Sequence, residues 1–239
     1  MEIAKLSKLI TPSGTMAISN KARVLREQGK PVIGFGAGEP DFPTPEYVVK
    51  DVQVAAEDTS NHKYSPVAGL TILKEEIVRT SQLYSGINVQ QENILVSNGG
   101  KHAILTTFMS ILNPGDEVLI PSPYWTTYPE AVKISGGNPI IVDTEFDDDF
   151  KVNTDQLDAL KTTKTKILVW VSPSNPTGVV YTKEEAEQIY NWAFENNVWI
   201  LSDELYEHLV YEGMTSPSPA QYDTELNNTI IINGVAKAY

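Results

Sequence analysis

The chain contains no cysteine and only three histidines, and both shortages exclude kinds of protein. Without cysteine there can be no disulfide framework, no thiolate nucleophile and no cysteine-ligated metal ion. His62, His102 and His208 lie far apart and form no pair at helical spacing, so we expect no metal site. No apolar run approaches the length that a membrane-spanning helix needs.

Positive charge is also scarce, and the formal net charge is -13 over 239 residues. Nucleic acids and anionic membranes bind clusters of Lys and Arg, so neither is expected as a partner. The first ten residues lack the continuous apolar segment of a signal peptide. With 41% hydrophobic residues, the sequence predicts a soluble, cytoplasmic globular protein with a substantial core.

From about residue 45 the sequence alternates between helical and strand-like patterns. Thr44 is expected to cap a helix that begins at Pro45, and a second amphipathic helix is expected to end at Gly86. Six short apolar runs follow, which are "NILVS", "EVLIP", "PIIVD", "KILVWVS", "VWILSD" and "TIIINGV", with helical stretches between several of them. Buried parallel strands have such continuous runs, so we predict an α/β fold with a mostly parallel sheet and helices on both faces.

The first 45 residues do not follow this alternation. A helical piece, "SNKARVLREQG", precedes "PVIGFGAGEPDFPTP", which is interpreted as a strand followed by an irregular loop rich in Gly and Pro. We therefore predict that residues 1–45 form an N-terminal arm and part of a small domain. Residues 46–239 are predicted to form a large α/β domain.

In open α/β sheets, ligands bind beyond the carboxyl ends of the strands. The residues that follow four of the apolar runs are Gly99 and Gly100, Asn175, Asp203 with Tyr206, and Lys237. Two glycines before a helix leave backbone N–H groups open to an anion, although a plain turn has the same pattern. An asparagine between prolines also fits a tight turn, and an aspartate at a strand end also fits a helix cap.

Taken together, these strand ends offer an anion cradle, an amide, a carboxylate with a phenol, and an amine. Pyridoxal phosphate has a phosphate, a ring hydroxyl, a ring nitrogen and an aldehyde, which would use all of them. Trp125 in "SPYW" could stack on the cofactor ring, although a core tryptophan is an equally good interpretation.

The sequence resembles the class I aminotransferases of the fold-type I pyridoxal-phosphate superfamily, and more closely the bacterial-type aspartate aminotransferases. The matching segments are "GAGEPDFPTP", "KYSPVAG", "NGGKHA", "PGDEVLIPSPYWTTYPE", "SNPTGVVY", "SDELYEHLVYEG" and "NGVAKAY". The resemblance implies an enzyme that uses pyridoxal 5'-phosphate to move an amino group from an L-amino acid, aspartate, to a 2-oxo acid, 2-oxoglutarate.

The resemblance also implies roles around the cofactor ring. Lys237 would hold the cofactor as a Schiff base and act as the catalytic base. Asp203 would pair with the protonated ring nitrogen. Asn175 and Tyr206 would hydrogen-bond the ring hydroxyl, and Trp125 would stack on the ring.

Further roles concern the phosphate and the substrate. The backbones of Gly99, Gly100 and Lys101 would donate to the phosphate. Tyr64 would reach the phosphate in the neighbouring subunit of a homodimer. Gly38 would lie against the substrate carboxylate, and Trp125 and Asn175 would also contact the substrate.

One departure from the family concerns arginine. The family places one arginine after the lysine and another in a later small domain, whereas the arginines here are Arg23, Arg26 and Arg79. We therefore expect a C-terminally truncated chain that lacks the small domain. The outer faces of "KILVWVS" and "TIIIN" would then be poorly covered, and the activity of this chain would be in question. Other fold-type I enzymes, such as an aromatic or alanine aminotransferase or a C–S lyase, and an inactive binding module remain alternatives.

Overall fold

The computed structural model describes residues 2–12, 14–36, 38 and 42–239, and its described strands form one parallel sheet. The strands are β1 (Glu117–Pro121), β2 (Asn138–Val142), β3 (Thr165–Val171), β4 (Trp199–Asp203) and β5 (Thr229–Ile232). Their order is β2-β1-β3-β4-β5, and every neighbouring pair is parallel. Five of the six apolar runs are therefore strands, and the predicted α/β architecture is confirmed.

Helices lie before the sheet and between its strands. The α-helices of the described chain are α1 (Gly14–Glu27), α2 (Glu46–Glu57), α3 (Thr71–Thr80), α4 (Gly100–Ile111), α5 (Thr127–Ile134), α6 (Thr154–Leu160) and α7 (Lys183–Glu195). A π-helical turn, Ser81–Ser85, extends α3 and ends at Gly86, whose φ of 65° suits glycine. The prediction that this helix ends at Gly86 is confirmed.

The core lies on both faces of the sheet because side chains alternate along each strand. On β3, Ile167 and Val169 pack with α4 and α5, whereas Leu168 and Trp170 pack with α6 and α7. These four side chains are at most 1% exposed. The expectation that "KILVWVS" would be poorly covered is therefore wrong, since β3 is the central strand. β5 is an edge strand, and its first three residues are partly exposed.

Two predicted strands are absent from the described part of the chain. Residues 94–97, within "NILVS", join no ladder there, and the Val96 N–H donates to the carbonyl oxygen of Ala68. Residues 31–35 form no strand either, and the Arg26 guanidinium donates to the carbonyl oxygen of Val32. Both predictions were wrong because apolar composition does not by itself supply a neighbouring strand.

The helices differ from the prediction at several places. Helix α2 begins at Glu46, with Pro45 rather than Thr44 at the N-cap position. Helix α6 was not predicted, although Asn153 and Gln156 form a capping box at its start. That spacing of Asn and Gln was visible in the sequence and is typical of a helix N-terminus.

The segment before α4 contributes little to the core. Helices α1, α2 and α3 contain no buried residue, and Ile87 is the one buried apolar residue that the structure describes before residue 100. The domain boundary at residue 45 stays a prediction. None of the helices in the described ranges is long and apolar enough to cross a membrane.

Candidate functional site

Asp203 lies at the carboxyl edge of the sheet as the last residue of β4. It pairs in register with Val171 of β3 and Ile232 of β5, and it is only 3% exposed. Its Oδ2 accepts a hydrogen bond of 2.5 Å from the Tyr128 hydroxyl, whereas its Oδ1 accepts a longer one of 3.3 Å from the Leu205 N–H. Burial raises the pKa of Asp203, and these two hydrogen bonds oppose that rise.

Tyr206 and Asn175 lie together near this carboxylate. The Asn175 amide nitrogen is 3.5 Å from the Tyr206 hydroxyl oxygen. Partial burial and the negative charge of Asp203 raise the pKa of Tyr206, so its hydroxyl stays protonated. Both residues line a cavity of about 380 Å³, which Gly38 and Met214 also border. The cavity gives an amide and a phenol access to a small ligand.

Lys237 ends the 3-10 helix Val235–Lys237, which follows β5 after two intervening residues, and its side chain reaches Gly38 at the border of this cavity. Its Nζ donates a hydrogen bond of 2.5 Å to the Gly38 carbonyl oxygen and lies 5.8 Å from the centre of the Tyr206 ring. Gly38 is in the segment "GAGEPDFPTP", of which Ala37, Glu39, Pro40 and Asp41 lie outside the described residues. The structure thus brings an amine to the residues that follow β3 and β4.

The start of α4 offers backbone donors. The N–H groups of Gly100 and Lys101 have no hydrogen-bond partner in the described chain, whereas the Gly99 N–H donates to the carbonyl oxygen of Ser97. The open N–H groups at the start of α4 in this structure are therefore those of Gly100 and Lys101, and the phosphate-binding role of Gly99 stays a prediction. A Cβ at Gly100 would lie 2.8 Å from Leu205 Cδ1, so glycine allows the close approach of this helix to the loop after β4.

Trp125 lies between this helix and the Asp203 site. Its ring contacts the Tyr128 ring edge-to-face, with centroids 5.7 Å apart. The Lys101 ammonium lies 5.4 Å from the centre of the Trp125 ring. A planar aromatic surface and a cationic side chain therefore border the site.

The remaining predicted residue, Tyr64, does not join the site within one chain, since its side chain is fully exposed. The arginines also lie elsewhere. Arg23 and Arg79 pair with acidic residues of their own helices, and Arg26 bonds to Val32. Among the described residues, no arginine hydrogen-bonds a residue of the candidate site.

Sequence reasoning missed Tyr128 and Glu204. Tyr128 is three residues after Trp125, and its N–H donates a hydrogen bond to the Trp125 carbonyl oxygen in the turn that leads into α5. Glu204 is 3% exposed and accepts hydrogen bonds from the hydroxyls of Ser202 and Ser218. No sequence signal marks Glu204, because acidic residues after a strand are ordinarily solvated.

The donor set at this edge fits pyridoxal phosphate. Two open N–H groups at the start of a twelve-residue helix suit a phosphate. A buried carboxylate with one weakly bonded oxygen suits a protonated ring nitrogen. Asn175 and Tyr206 suit the ring hydroxyl, and Lys237 suits the aldehyde.

Comparison with known proteins identifies the family. The family model for aminotransferase class I and II matches residues 30–239. The chain is 48% identical over 231 residues to an aspartate aminotransferase of Streptomyces avermitilis, covering 96% of this chain and 57% of that protein. It is 43% identical over 240 residues to an aspartate aminotransferase of Geobacillus stearothermophilus, covering 100% of this chain and 61% of that one.

Comparison with solved structures leads to the same family. The structure of the aspartate aminotransferase from Thermus thermophilus with maleate matches with a TM-score of 0.93 and 38% identity, covering 100% of this chain and 62% of that chain. The chain thus spans about three fifths of the length of these relatives. The fold is that of the fold-type I enzymes, as predicted. Because the family model covers most of the sequence, the chain belongs to the class I and II aminotransferases, a family of pyridoxal-phosphate-dependent enzymes.

Proposed function

We propose that the intact protein is a cytoplasmic aminotransferase that uses pyridoxal 5'-phosphate to move an amino group from L-aspartate to 2-oxoglutarate. One observation carries the proposal: Lys237, Asp203 and Tyr206 converge at the carboxyl edge of a parallel sheet in a chain of this family. Relatives named aspartate aminotransferase at 43–48% identity support the choice of aspartate.

Each group of the site would hold one part of the cofactor. The Lys237 amine would bind the aldehyde carbon, and Asp203 Oδ1 would accept the ring N–H. Tyr206 and Asn175 would bind the ring hydroxyl, while the N–H groups at the start of α4 would bind the phosphate. When bound, pyridoxal phosphate takes up the amino group and accepts the electron pair left at the substrate α-carbon.

Lys237 would also move the proton. Once the substrate amine has replaced it, the Lys237 amine would take the proton from the substrate α-carbon and deliver it to the cofactor carbon that had carried the aldehyde. Asp203 would hold the ring nitrogen in its protonated form, and this charge pair is strong because the carboxylate is buried. The Gly38 carbonyl oxygen would orient the amine, since it already accepts a hydrogen bond from Nζ.

Among the site residues that the structure describes, Lys101 and Lys237 carry the cationic side chains. The Lys101 ammonium beside Trp125 gives this edge of the sheet a positive charge that would attract an anionic group, such as the cofactor phosphate or a substrate carboxylate. The choice of aspartate over an alanine-type substrate therefore rests on the names of the relatives.

The test is to purify the intact protein with pyridoxal phosphate and to assay amino transfer to 2-oxoglutarate from aspartate, tyrosine and alanine. We expect a visible absorption band of bound cofactor and the highest kcat/KM with aspartate. Highest turnover with tyrosine would instead support an aromatic aminotransferase, like the Pyrococcus horikoshii enzyme that matches at 36% identity and a TM-score of 0.83. Absence of cofactor binding would overturn the proposal.

We also propose that the intact protein is a homodimer in which Tyr64 completes the partner's site. The exposed Tyr64 ring and the exposed Tyr47, Val52 and Val54 of α2 support this, because apolar surface of this kind is usually covered in an assembly. Mixing Tyr64→Ala and Lys237→Ala subunits should restore activity above that of either variant, since one site of each mixed dimer is then intact. No restoration in dimers shown by mass to be mixed would contradict it.

A further inference from the structure

Tyr128 is a buried tyrosine of the site to which the family resemblance gave no role. It lies in the first turn of α5, is 1% exposed and donates its hydroxyl proton to Asp203 Oδ2 over 2.5 Å. Burial and the negative charge of Asp203 raise its pKa well above the ordinary value, so the phenol stays protonated. Tyr128 is therefore a permanent donor to one oxygen of Asp203.

The carboxylate needs this donor because its surroundings otherwise favour the neutral form. Burial raises the pKa of Asp203, and the hydrogen bonds from Tyr128 and Leu205 oppose this rise. The other hydrogen bond, from the Leu205 N–H to Oδ1, is long at 3.3 Å. The phenol is thus the stronger of the two contacts that keep Asp203 charged before any cofactor arrives.

The position of Tyr128 also orients the carboxylate. The phenol occupies Oδ2, and its ring is fixed edge-to-face against Trp125 at an interplanar angle of 90°. Oδ1, which makes the weaker contact, is the oxygen left for another donor. The same side chain therefore sets which oxygen is available and restricts rotation of the group.

We propose that Tyr128 is a positioning residue that keeps Asp203 ionised and reserves its Oδ1 for the ring nitrogen of the cofactor. This rests on the proposed function, because it presumes that pyridoxal phosphate is the ligand. Tyr128 itself touches neither substrate nor cofactor in this role and acts through Asp203.

The test compares Tyr128→Phe with Tyr181→Phe in the intact protein. Tyr181 is a matched control, since it is 4% exposed and its hydroxyl accepts a hydrogen bond of 3.0 Å from the Val152 N–H without contacting Asp203. The first readout is the titration of the Asp203 carboxyl carbon, followed by NMR in the cofactor-free protein. We expect Tyr128→Phe to shift this titration to higher pH and Tyr181→Phe to leave it unchanged.

The second readout is equilibrium binding of pyridoxal phosphate, which should weaken roughly tenfold in Tyr128→Phe because a hydrogen bond to a charged group is lost. A fluorotyrosine at position 128 keeps the ring and donates more strongly, so it should shift the Asp203 titration to lower pH. This variant tests the idea even if Tyr128→Phe folds poorly.

Three outcomes are distinguishable. Unchanged Asp203 titration in both position-128 variants would overturn the inference while leaving the proposed function intact. A titration shift in a protein that binds no pyridoxal phosphate would support the ionisation role and contradict the proposed function. Equal shifts of the Asp203 titration in Tyr128→Phe and Tyr181→Phe would overturn the inference, because Tyr128 would then affect Asp203 no more than a distant buried tyrosine does.

Discussion

The amine of Lys237 and the carbonyl oxygen of Gly38 are 2.5 Å apart, although 199 residues separate them in the sequence. The contact joins the end of the last described strand to a segment that precedes the whole sheet. Gly38 thereby holds the amine beside Tyr206, whose ring centre is 5.8 Å from Nζ. The candidate site therefore depends on the docking of the N-terminal segment as well as on the sheet.

Lys237→Ala should abolish amino transfer in the intact protein, because the group that holds the aldehyde and the base are lost together. Borohydride treatment of the wild-type protein should attach the cofactor to the peptide that contains Lys237, and the variant should remain unlabelled. Lys101→Ala is the control, and it should still be labelled at Lys237. Cofactor found on Lys101 in the wild-type protein would show that the start of α4 has been misinterpreted.

Asp203→Asn should leave the fold nearly intact and slow proton removal from the α-carbon sharply. An amide cannot hold the ring nitrogen in its protonated form, whereas it can still accept the Tyr128 hydrogen bond. The measurement is single-turnover kinetics with α-deuterated aspartate, in which the isotope effect should grow. Normal turnover would mean that the ring charge does not activate the α-carbon.

Asp223→Asn should lower the stability of the fold without changing activity, in contrast to Asp203→Asn. Asp223 is 1% exposed and accepts hydrogen bonds from the N–H groups of Asn227, Asn228 and Thr229, so it organises the turn before β5. Replacing one of its oxygens with an NH2 group should lower the free energy of unfolding by about 2–4 kcal/mol. Turnover per folded molecule should not change, which separates this aspartate from Asp203.

Glu204→Gln should remove a pH dependence of stability. Burial raises the pKa of Glu204 to about 7, above the value of 4.5 expected for an unfolded chain. Between these values unfolding releases a proton, so the contribution is full below pH 4.5 and is lost as the pH rises through 7. The free energy of unfolding of the wild type should therefore fall by roughly 2–3 kcal/mol more than that of Glu204→Gln between about pH 5 and pH 8.

Urea unfolding at both pH values measures this difference. The control is Glu195→Gln, an exposed position at the end of α7, which should follow the wild type. Parallel pH profiles for wild type and Glu204→Gln would contradict the burial of a protonated carboxyl group between Ser202 and Ser218.

Gly69→Ala should be much more destabilising than Gly29→Ala. Both glycines have positive φ, 103° and 77°, so alanine strains the backbone at either place. At Gly69 a Cβ would also lie 2.4 Å from Val96 Cγ2, whereas nothing lies within 4 Å at Gly29. We expect the free energy of unfolding to fall by about 1 kcal/mol from the backbone strain alone and by a further 1–3 kcal/mol at Gly69, as measured by urea unfolding. Equal losses would show that the 94–97 segment moves away without cost.

The sequence predicted the strands of the sheet well where burial produces a recognisable local pattern of residues. β3 and β4 are buried on both faces, so their apolar runs are continuous and easy to recognise. "NILVS" has the same composition, yet its Val96 N–H bonds to Ala68 in a loop instead of a strand. What separates the two cases is the presence of a neighbouring strand, which lies far away in the sequence.

The site shows the same limit. Lys237, Asp203 and Asn175 could be proposed as site residues from the sequence because each follows an apolar run, and parallel strands end at one edge. Tyr128 was not predicted because its role depends on a hydrogen bond to Asp203, which lies 75 positions later in the sequence. The hydrogen bond from the Gly99 N–H to Ser97 was not predicted because it depends on the conformation of one turn, which the Gly-Gly pattern does not determine.

The long span between Gly38 and Lys237 has a consequence for biosynthesis. The strands β1 to β4 can pair as they leave the ribosome, because each needs only neighbours that are already made. The contact between Gly38 and Lys237 closes a chain segment almost as long as the described protein, so it should form late and slowly. During synthesis the sheet is therefore expected to fold before the candidate site is complete. Until then the N-terminal segment would remain accessible to chaperones.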